Sequence, residues 1–174
     1  GGSAVYSIGD TGPAGGYVFD DKGYYSDGWR YLEAAPSNIG EYVFGYYRPD
    51  GTNDNVVGTA EAIGAGRYNS ERLVEHMDIG GNAYSNYSGG ATYSEYAAKK
   101  CLDYSYGKYD DWFLPSRDEL CEMYKALKCP GGTNHGYYCP DEIHAATSTE
   151  ETRNSFAYGC YWSSSESSDD YTWM

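Results

Sequence analysis

The stretch DWFLPSRDEL, residues 111–120, decides the fold because it predicts the end of a strand that runs into a well-capped helix. Ser116 takes the N-cap position and Glu119 follows three residues later, which is the spacing of a capping box. A second stretch, YWSSSE at residues 161–166, predicts an aromatic core strand that opens into a polar surface loop. The fold is therefore expected to depend on two segments that are far apart in the sequence.

Three helices are predicted, and the one after Ser116 has the clearest pattern. Its buried stripe is formed by apolar residues at helical spacing, namely Leu120, Met123, Tyr124 and Leu127. A short helix is predicted at residues 70–77 with Ser70 as its N-cap. Thr92 and Glu95 form another capping-box pattern, which predicts a helix that begins at Thr92.

The beginning of the chain predicts a hairpin. Residues 17–19 and 29–36 are the two candidate strands, and the Asp-Asp-Lys-Gly sequence at 20–23 is a candidate turn. The connection between the strands is expected to be a long, exposed loop. Together with the helices, this pattern predicts an α+β protein with two to three short helices packed on small antiparallel sheets.

The length and composition of the chain predict a folded, loop-rich domain. The chain has 174 residues, enough for one domain with a core, and its 22 tyrosines can supply buried area while keeping a polar tip in water. The 23 glycines predict a loop-rich protein.

A net charge of −14 disfavours nucleic acids, heparin-like polysaccharides and anionic membranes as partners. No apolar stretch of about 18 residues is present to insert into a membrane.

The five cysteines are an odd number, so at least one is expected to be unpaired. Cys101 lies on the apolar side of a predicted helix and is expected to be a buried thiol. Cys129 and Cys139 bracket a glycine-rich loop that a disulfide would stabilise in an oxidising compartment. A zinc site that includes His135 or His144 is the alternative for these cysteines, although no C-x-x-C spacing supports it.

The ordered set of motifs resembles the DUF1566 family, which includes the C-terminal domain of a Legionella collagen-like adhesin. The matching segments cover most of the chain and are residues 8–19, 29–36, 59–72, 96–101, 111–124 and 161–166. The resemblance implies one C-type-lectin-like domain over residues 1–174, display outside the cell or on its surface, and non-catalytic recognition of a glycan or protein. Residues 129–160 are an unusual cysteine-bearing insertion within this pattern.

The same resemblance extends to the variable proteins of diversity-generating retroelements, and it assigns ligand binding to the loop after the YWSSSE stretch. By position, that loop comprises Ser165, Glu166, Ser167, Ser168, Asp169, Asp170, Tyr171 and Trp173. Tyrosine and tryptophan offer rigid contact area, and serine and aspartate offer adaptable hydrogen bonds, as in antibody loops. A solvated Ser/Asp tail is the alternative interpretation.

Members of this family continue with further strands after the position that corresponds to the end of this chain. Two alternatives are expected: either the C-terminal strands are missing from this sequence, or a partner chain completes the sheet by strand addition, because an open sheet edge otherwise invites aggregation. The second alternative leads to a second hypothesis, in which the protein is a homo-oligomeric structural subunit of an extracellular filament or appendage.

Metal binding and catalysis are the alternatives to simple ligand binding. Oxygen ligands cluster in one loop as calcium requires, at Asp50, Asn53, Asp54 and Asn55. The spacing of an EF-hand is absent, and a turn stabilised by its own Asn and Asp side chains is the favoured interpretation over a calcium site. The three histidines have no evident nucleophile or carboxylate partner in the sequence. A copper-dependent enzyme of the formylglycine-generating type, which uses cysteines, is a third hypothesis. No catalytic site and no cofactor other than calcium is expected.

Overall fold

The structure is a computed structural model and describes residues 4–44, 58–77, 95–128, 161–168 and 171–172. In these segments the chain forms three helices and two antiparallel pairs of strands. The elements are β1 (Tyr17–Ser26), β2 (Trp29–Ala34), α1 (Gly66–Met77), α2 (Ala97–Leu102), α3 (Arg117–Lys128), β3 (Glu166–Ser168) and β4 (Tyr171–Thr172). The predicted mixture of short helices and small antiparallel sheets is confirmed.

The hairpin of β1 and β2 is confirmed, but its turn is not where the sequence pattern placed it. β1 continues through residues 20–23 to Ser26, and the two strands are joined by Asp27 and Gly28 alone. Both residues have positive φ, 52° and 87°, as the tight turns of two-residue hairpins require. Across the strands, the Arg30 guanidinium lies 2.8 Å from the Asp21 carboxylate. The long exposed loop was therefore a wrong prediction.

Helix α1 begins four residues earlier than predicted. Ser70 is not an N-cap but a buried residue inside the helix. Its hydroxyl donates to the carbonyl of Gly66 at 2.8 Å and accepts from the backbone N–H of Leu114 at 3.0 Å. A serine in a helix can bond its own backbone in this way, and here it also joins α1 to the loop before α3.

The predicted first residue is correct for α3 but not for α2. α2 begins at Ala97, after an extended Tyr96 that offers no side-chain cap, and Glu95 instead pairs with Lys100 at 2.8 Å. The predicted helix start at Thr92 falls outside the described residues, and the capping role of Glu95 is wrong. α3 begins one residue after Ser116, as predicted.

Within the described segments, the buried apolar side chains form two clusters. The first joins α1 and α2 and contains Leu73, Met77, Tyr96, Ala97, Ala98 and Leu114, with Trp162 packed against it. The second joins the β1–β2 hairpin to α3 and contains Phe19, Leu32, Ala34, Leu120, Cys121 and Leu127, with Trp29, Met123 and Tyr124 packed against it. The predicted stripe of α3 is thus confirmed.

The predicted strand at residues 161–163 is absent from the described segment, since β3 begins only at Glu166. Residues 163–165 are fully buried serines. Their polar groups form hydrogen bonds with the backbone of loops and with side chains, so these residues form no ladder with a neighbouring strand.

Among the described residues, no helix has the length and apolar character needed to cross a membrane.

Candidate functional site

The stretches DWFLPSRDEL at residues 111–120 and YWSSSE at residues 161–166 meet in space. The backbone N–H of Ser164 donates to the carbonyl of Pro115 at 2.7 Å, and the backbone N–H of Arg117 donates to the hydroxyl of Ser165 at 3.0 Å. Six fully buried polar residues surround these contacts, and we name them the polar junction: Asn69, Ser70, Ser116, Glu119, Ser164 and Ser165. The polar junction ties the start of α3 to the segment that leads into β3.

A third segment, residues 59–66, is held in the polar junction by Asn69. The Asn69 amide accepts from the backbone N–H of Ala60 at 2.9 Å and donates to the carbonyl of the same residue at 2.6 Å. It also lies 3.2 Å from the hydroxyl of Ser164. The hydroxyl of Ser165 donates to the Ala60 carbonyl at 2.8 Å. The side chain of Asn69 therefore satisfies both backbone hydrogen-bonding groups of Ala60.

Glu119 joins two helix N-termini. Its Oε2 accepts from the backbone N–H of Ser116 at 2.7 Å, which completes the predicted capping box of α3. Its Oε1 accepts from the backbone N–H of Gly64 at 2.8 Å and, more weakly, from that of Gly66 at 3.4 Å, at the start of α1. A carboxylate near two helix N-termini is favoured by their dipoles.

The burial of Glu119 has an electrostatic cost. The side chain is fully buried, and the loss of water around its carboxylate raises its pKa, although the backbone N–H groups of Ser116, Gly64 and Gly66 act in the opposite direction. A β-carbon on Gly66 would clash with this carboxylate and lie 2.7 Å from the ring of Phe113. Only glycine at this position lets α1 approach α3 so closely.

The polar junction ends where the predicted ligand loop begins. The backbone N–H of Glu166 donates to the hydroxyl of Thr59 at 2.8 Å, and that hydroxyl lies 3.1 Å from the Glu166 carboxylate. β3 follows at once and pairs with β4, with Glu166 opposite Thr172 and Ser168 opposite Tyr171. The base of this hairpin is therefore fixed to residues 59–60 on one side.

The structure separates the predicted ligand-binding residues into three groups. Ser165 is fully buried, and its hydroxyl is committed to Ala60 and Arg117, so it belongs to the polar junction. Glu166 is partly buried at the base of the hairpin. Ser167, Ser168 and Tyr171 lie in the paired backbone of β3 and β4, whereas Asp169, Asp170 and Trp173 lie outside the described residues.

The other predicted sites lie mostly outside the described residues. These are the calcium loop with Asp50, Asn53 and Asp54, and the disulfide between Cys129 and Cys139. In the described segments, no group of three or more His, Cys, Asp or Glu side chains is placed to hold a metal ion. Cys101 is a free cysteine packed against the first core cluster, and burial raises the pKa of its thiol to about 12.

A large groove is the feature that sequence reasoning missed. It has a volume of about 1490 Å³ and runs along β2, the segment 37–42, the start of α1 and residues 109–115. Its lining is rich in aromatic side chains, among them Tyr6, Tyr25, Trp29, Tyr31, Tyr42, Tyr68, Tyr104, Tyr109, Trp112, Tyr161 and Trp162. The signal in the sequence is the high tyrosine content, with 22 tyrosines that can line a groove as well as fill a core. We name this feature the aromatic groove.

No protein-family model matches the chain, and neither a curated protein nor a solved structure is significantly similar to it. The polar junction, the β3–β4 hairpin and the aromatic groove are therefore the features of the molecule that bear on its function.

Proposed function

We propose that this protein is a lectin-like binding module, displayed outside the cell or on its surface, that recognises a glycan or protein ligand without catalysis. The proposed ligand-binding surface is the loop of the β3–β4 hairpin, residues 166–173. The proposed fold is a C-type-lectin-like one, which extends the coarser mixture of helices and sheets described above.

One observation carries the proposal, namely that the base of this hairpin is anchored by the polar junction. Recognition loops bind best when a rigid scaffold holds their ends, because less conformational entropy is then lost on binding. The anchor consists of backbone and side-chain bonds from residues 164–166 to Thr59, Ala60 and Pro115. The sequence of the loop itself, Ser-Ser-Asp-Asp-Tyr-Thr-Trp, offers both aromatic contact area and adaptable polar groups.

The chemistry of the polar junction also favours a structural role over catalysis for its serines. The hydroxyl of Ser116 donates to the carbonyl of Ala62 at 2.9 Å, and the hydroxyls of Ser70 and Ser165 likewise donate to backbone carbonyls. A nucleophilic serine instead donates to a general base. The side chain of Glu119 accepts three backbone N–H groups and is occupied in holding the two helices.

The proposal is tested by screening the protein against glycan and protein arrays and repeating any positive binding with variants. Tyr171→Ala and Trp173→Ala are expected to lose binding while thermal stability stays unchanged. Tyr24→Ala is the matched control, because this tyrosine is 65% exposed on the other hairpin. If no array ligand binds, or if both loop variants bind as tightly as the unaltered protein, the proposal fails.

A second candidate function is a subunit of an extracellular filament. It is favoured by the short β3–β4 sheet, which has only two strands within the described segments and so can accept a strand from another chain. Light scattering over a range of protein concentrations tests it. Assembly that increases with concentration supports strand addition, and a constant monomer mass rejects it.

A further inference from the structure

We infer that Asp27, in the turn of the β1–β2 hairpin, is a modification site at which the main chain rearranges spontaneously to isoaspartate, and that Ser26 and Lys22 restrain this reaction. The inference goes beyond the proposed function, because it concerns the other hairpin and requires no ligand.

The reaction joins the side chain of Asp27 to the backbone nitrogen of Gly28, the next residue in the sequence. This nitrogen bonds to Cγ of Asp27 and closes a five-membered succinimide ring, while the carboxyl OH leaves with the N–H proton as water. A water molecule then adds to the original main-chain carbonyl carbon, and the bond from that carbon to the nitrogen breaks. The product has the same mass, but its main chain runs through the former side chain and is longer by one methylene group. Water is the only co-reactant.

The turn leaves both reacting groups accessible. The side chain of Asp27 is 85% exposed, so water reaches its carboxyl group. A β-carbon built on Gly28 would meet no atom within 4 Å, so nothing crowds the attacking nitrogen from that side. Among the described residues, Asp27 is also the only non-glycine residue with positive φ. This left-handed backbone is unfavourable for a residue with a β-carbon, so the native turn has less to lose when it rearranges.

Two contacts with the carboxylate of Asp27 oppose the reaction. The hydroxyl of Ser26 donates to Oδ2 of Asp27 at 2.9 Å, and the ammonium group of Lys22 lies 3.5 Å from the same oxygen. The hydrogen bond from Ser26, and next the one from Lys22, hold the pKa of the Asp27 carboxyl below its usual value. An ionised carboxylate is a poor electrophile, because the oxygen that must leave carries no proton. Ser26 and Lys22 therefore slow the rearrangement in the folded protein.

Lys22 also ties the turn to both strands, and these contacts determine what the modification would disrupt. The ammonium group donates to the carbonyl of Ser26 at 2.7 Å and lies 3.9 Å from the ring centroid of Trp29. Ser26 pairs with Trp29 across the turn. A main chain that is longer by one methylene group does not fit a two-residue turn, so the modified hairpin loses this pairing. Asp27, Gly28 and Trp29 line one end of the aromatic groove, and the shape of that end changes as well.

The experiment incubates the whole protein for several weeks at neutral pH and physiological temperature, in native buffer and in guanidinium chloride. Trypsin then releases residues 23–30 as a peptide in which Asp27 is the only aspartate. In native buffer, a second form of this peptide with unchanged mass and altered retention is expected to accumulate, more slowly than in the unfolded sample. Ser26→Ala should accelerate this accumulation about 2- to 5-fold in native buffer, because the carboxylate loses a hydrogen bond. The isolated modified protein should melt at a lower temperature than fresh protein.

Two controls separate this site from general ageing of the protein. Asp27→Glu cannot close a five-membered ring, so its peptide 23–30 should remain a single form. In the unaltered protein, the tryptic peptide 1–22 should also remain a single form, because its three aspartates are each followed by a residue other than glycine. The inference is overturned if the folded protein forms no isoaspartate at Asp27, or if peptide 1–22 changes as fast as peptide 23–30. The restraint is overturned if Ser26→Ala reacts no faster than the unaltered protein in native buffer.

Discussion

Replacing Glu119 by glutamine tests the polar junction with a change of only one functional group. The glutamine oxygen can still accept from the backbone N–H of Gly64, but its amide then faces the N–H of Ser116, which loses a 2.7 Å bond to a charged acceptor. Hydrogen bonds to charged groups are worth about 1.5–3 kcal/mol, and a buried unpaired donor costs a similar amount.

The same substitution also removes a buried charge, whose desolvation raises the pKa of the carboxyl group and offsets part of the loss. We therefore expect Glu119→Gln to lower the free energy of unfolding by about 2 kcal/mol at neutral pH, which for a chain of this length lowers the melting temperature by about 4–8 °C. Chemical denaturation and thermal unfolding measure both quantities.

The matched control is Glu122→Gln on the same helix, since Glu122 pairs with Lys125 at 2.7 Å on the surface. This change should alter stability by no more than about 0.5 kcal/mol. If Glu119→Gln is as mild as Glu122→Gln, the carboxylate of Glu119 does not hold the two helix N-termini together, and the reasoning is refuted.

The other predictions concern pH, packing and the hairpin turn. Because burial raises the folded-state pKa of Glu119, folding favours the protonated carboxyl group, and this proton-linked part of the stability is full below the ordinary glutamate pKa of about 4.3 and is lost as pH rises through the folded pKa. The hydrogen-bond contribution described above remains at neutral pH. The stability difference from Glu119→Gln should thus shrink with rising pH, and a difference that grows would contradict the raised pKa. Asn69→Ala should cost about 2–3 kcal/mol because the N–H of Ala60 loses its acceptor, and equal stability in denaturation would reject this role. Gly66→Ala should cost at least ~2 kcal/mol through its clash with Glu119, so a stable variant would show that α1 and α3 can separate. Gly28→Ala should cost about 1 kcal/mol, measured by thermal unfolding, because the turn needs positive φ, and an unchanged melting temperature would mean that the turn relaxes.

Local signals in the sequence predicted some elements well. The capping box of Ser116 and Glu119 and the apolar stripe of α3 needed only neighbouring residues, and both are present in the structure. The hairpin was also predictable from its strands, but its turn was not. The Asp-Asp-Lys-Gly sequence resembles a turn, yet the ion pair of Asp21 with Arg30 keeps it within β1.

Features that depend on distant partners could not be predicted from local pattern. Ser70 looked like an N-cap because serine favours that position, but its partners are Gly66 and Leu114, the latter 44 residues away. Glu119 was assigned to its own helix only, and nothing local indicated its bonds to Gly64 and Gly66. The aromatic groove has the same origin, since it brings together tyrosines from segments that are distant in sequence.

The central claim is that the polar junction anchors the base of the β3–β4 hairpin, and native-state hydrogen exchange tests it most directly. The amide hydrogens of Ser164 and Glu166, which donate to Pro115 and Thr59, should exchange only when the whole protein unfolds. The free energies of exchange of these two amides should equal the free energy of global unfolding. In Glu119→Gln, both quantities should decrease by the same amount. Exchange of these two amides at rates close to those of an unstructured peptide would contradict the account, because the proposed binding loop would then have no fixed base.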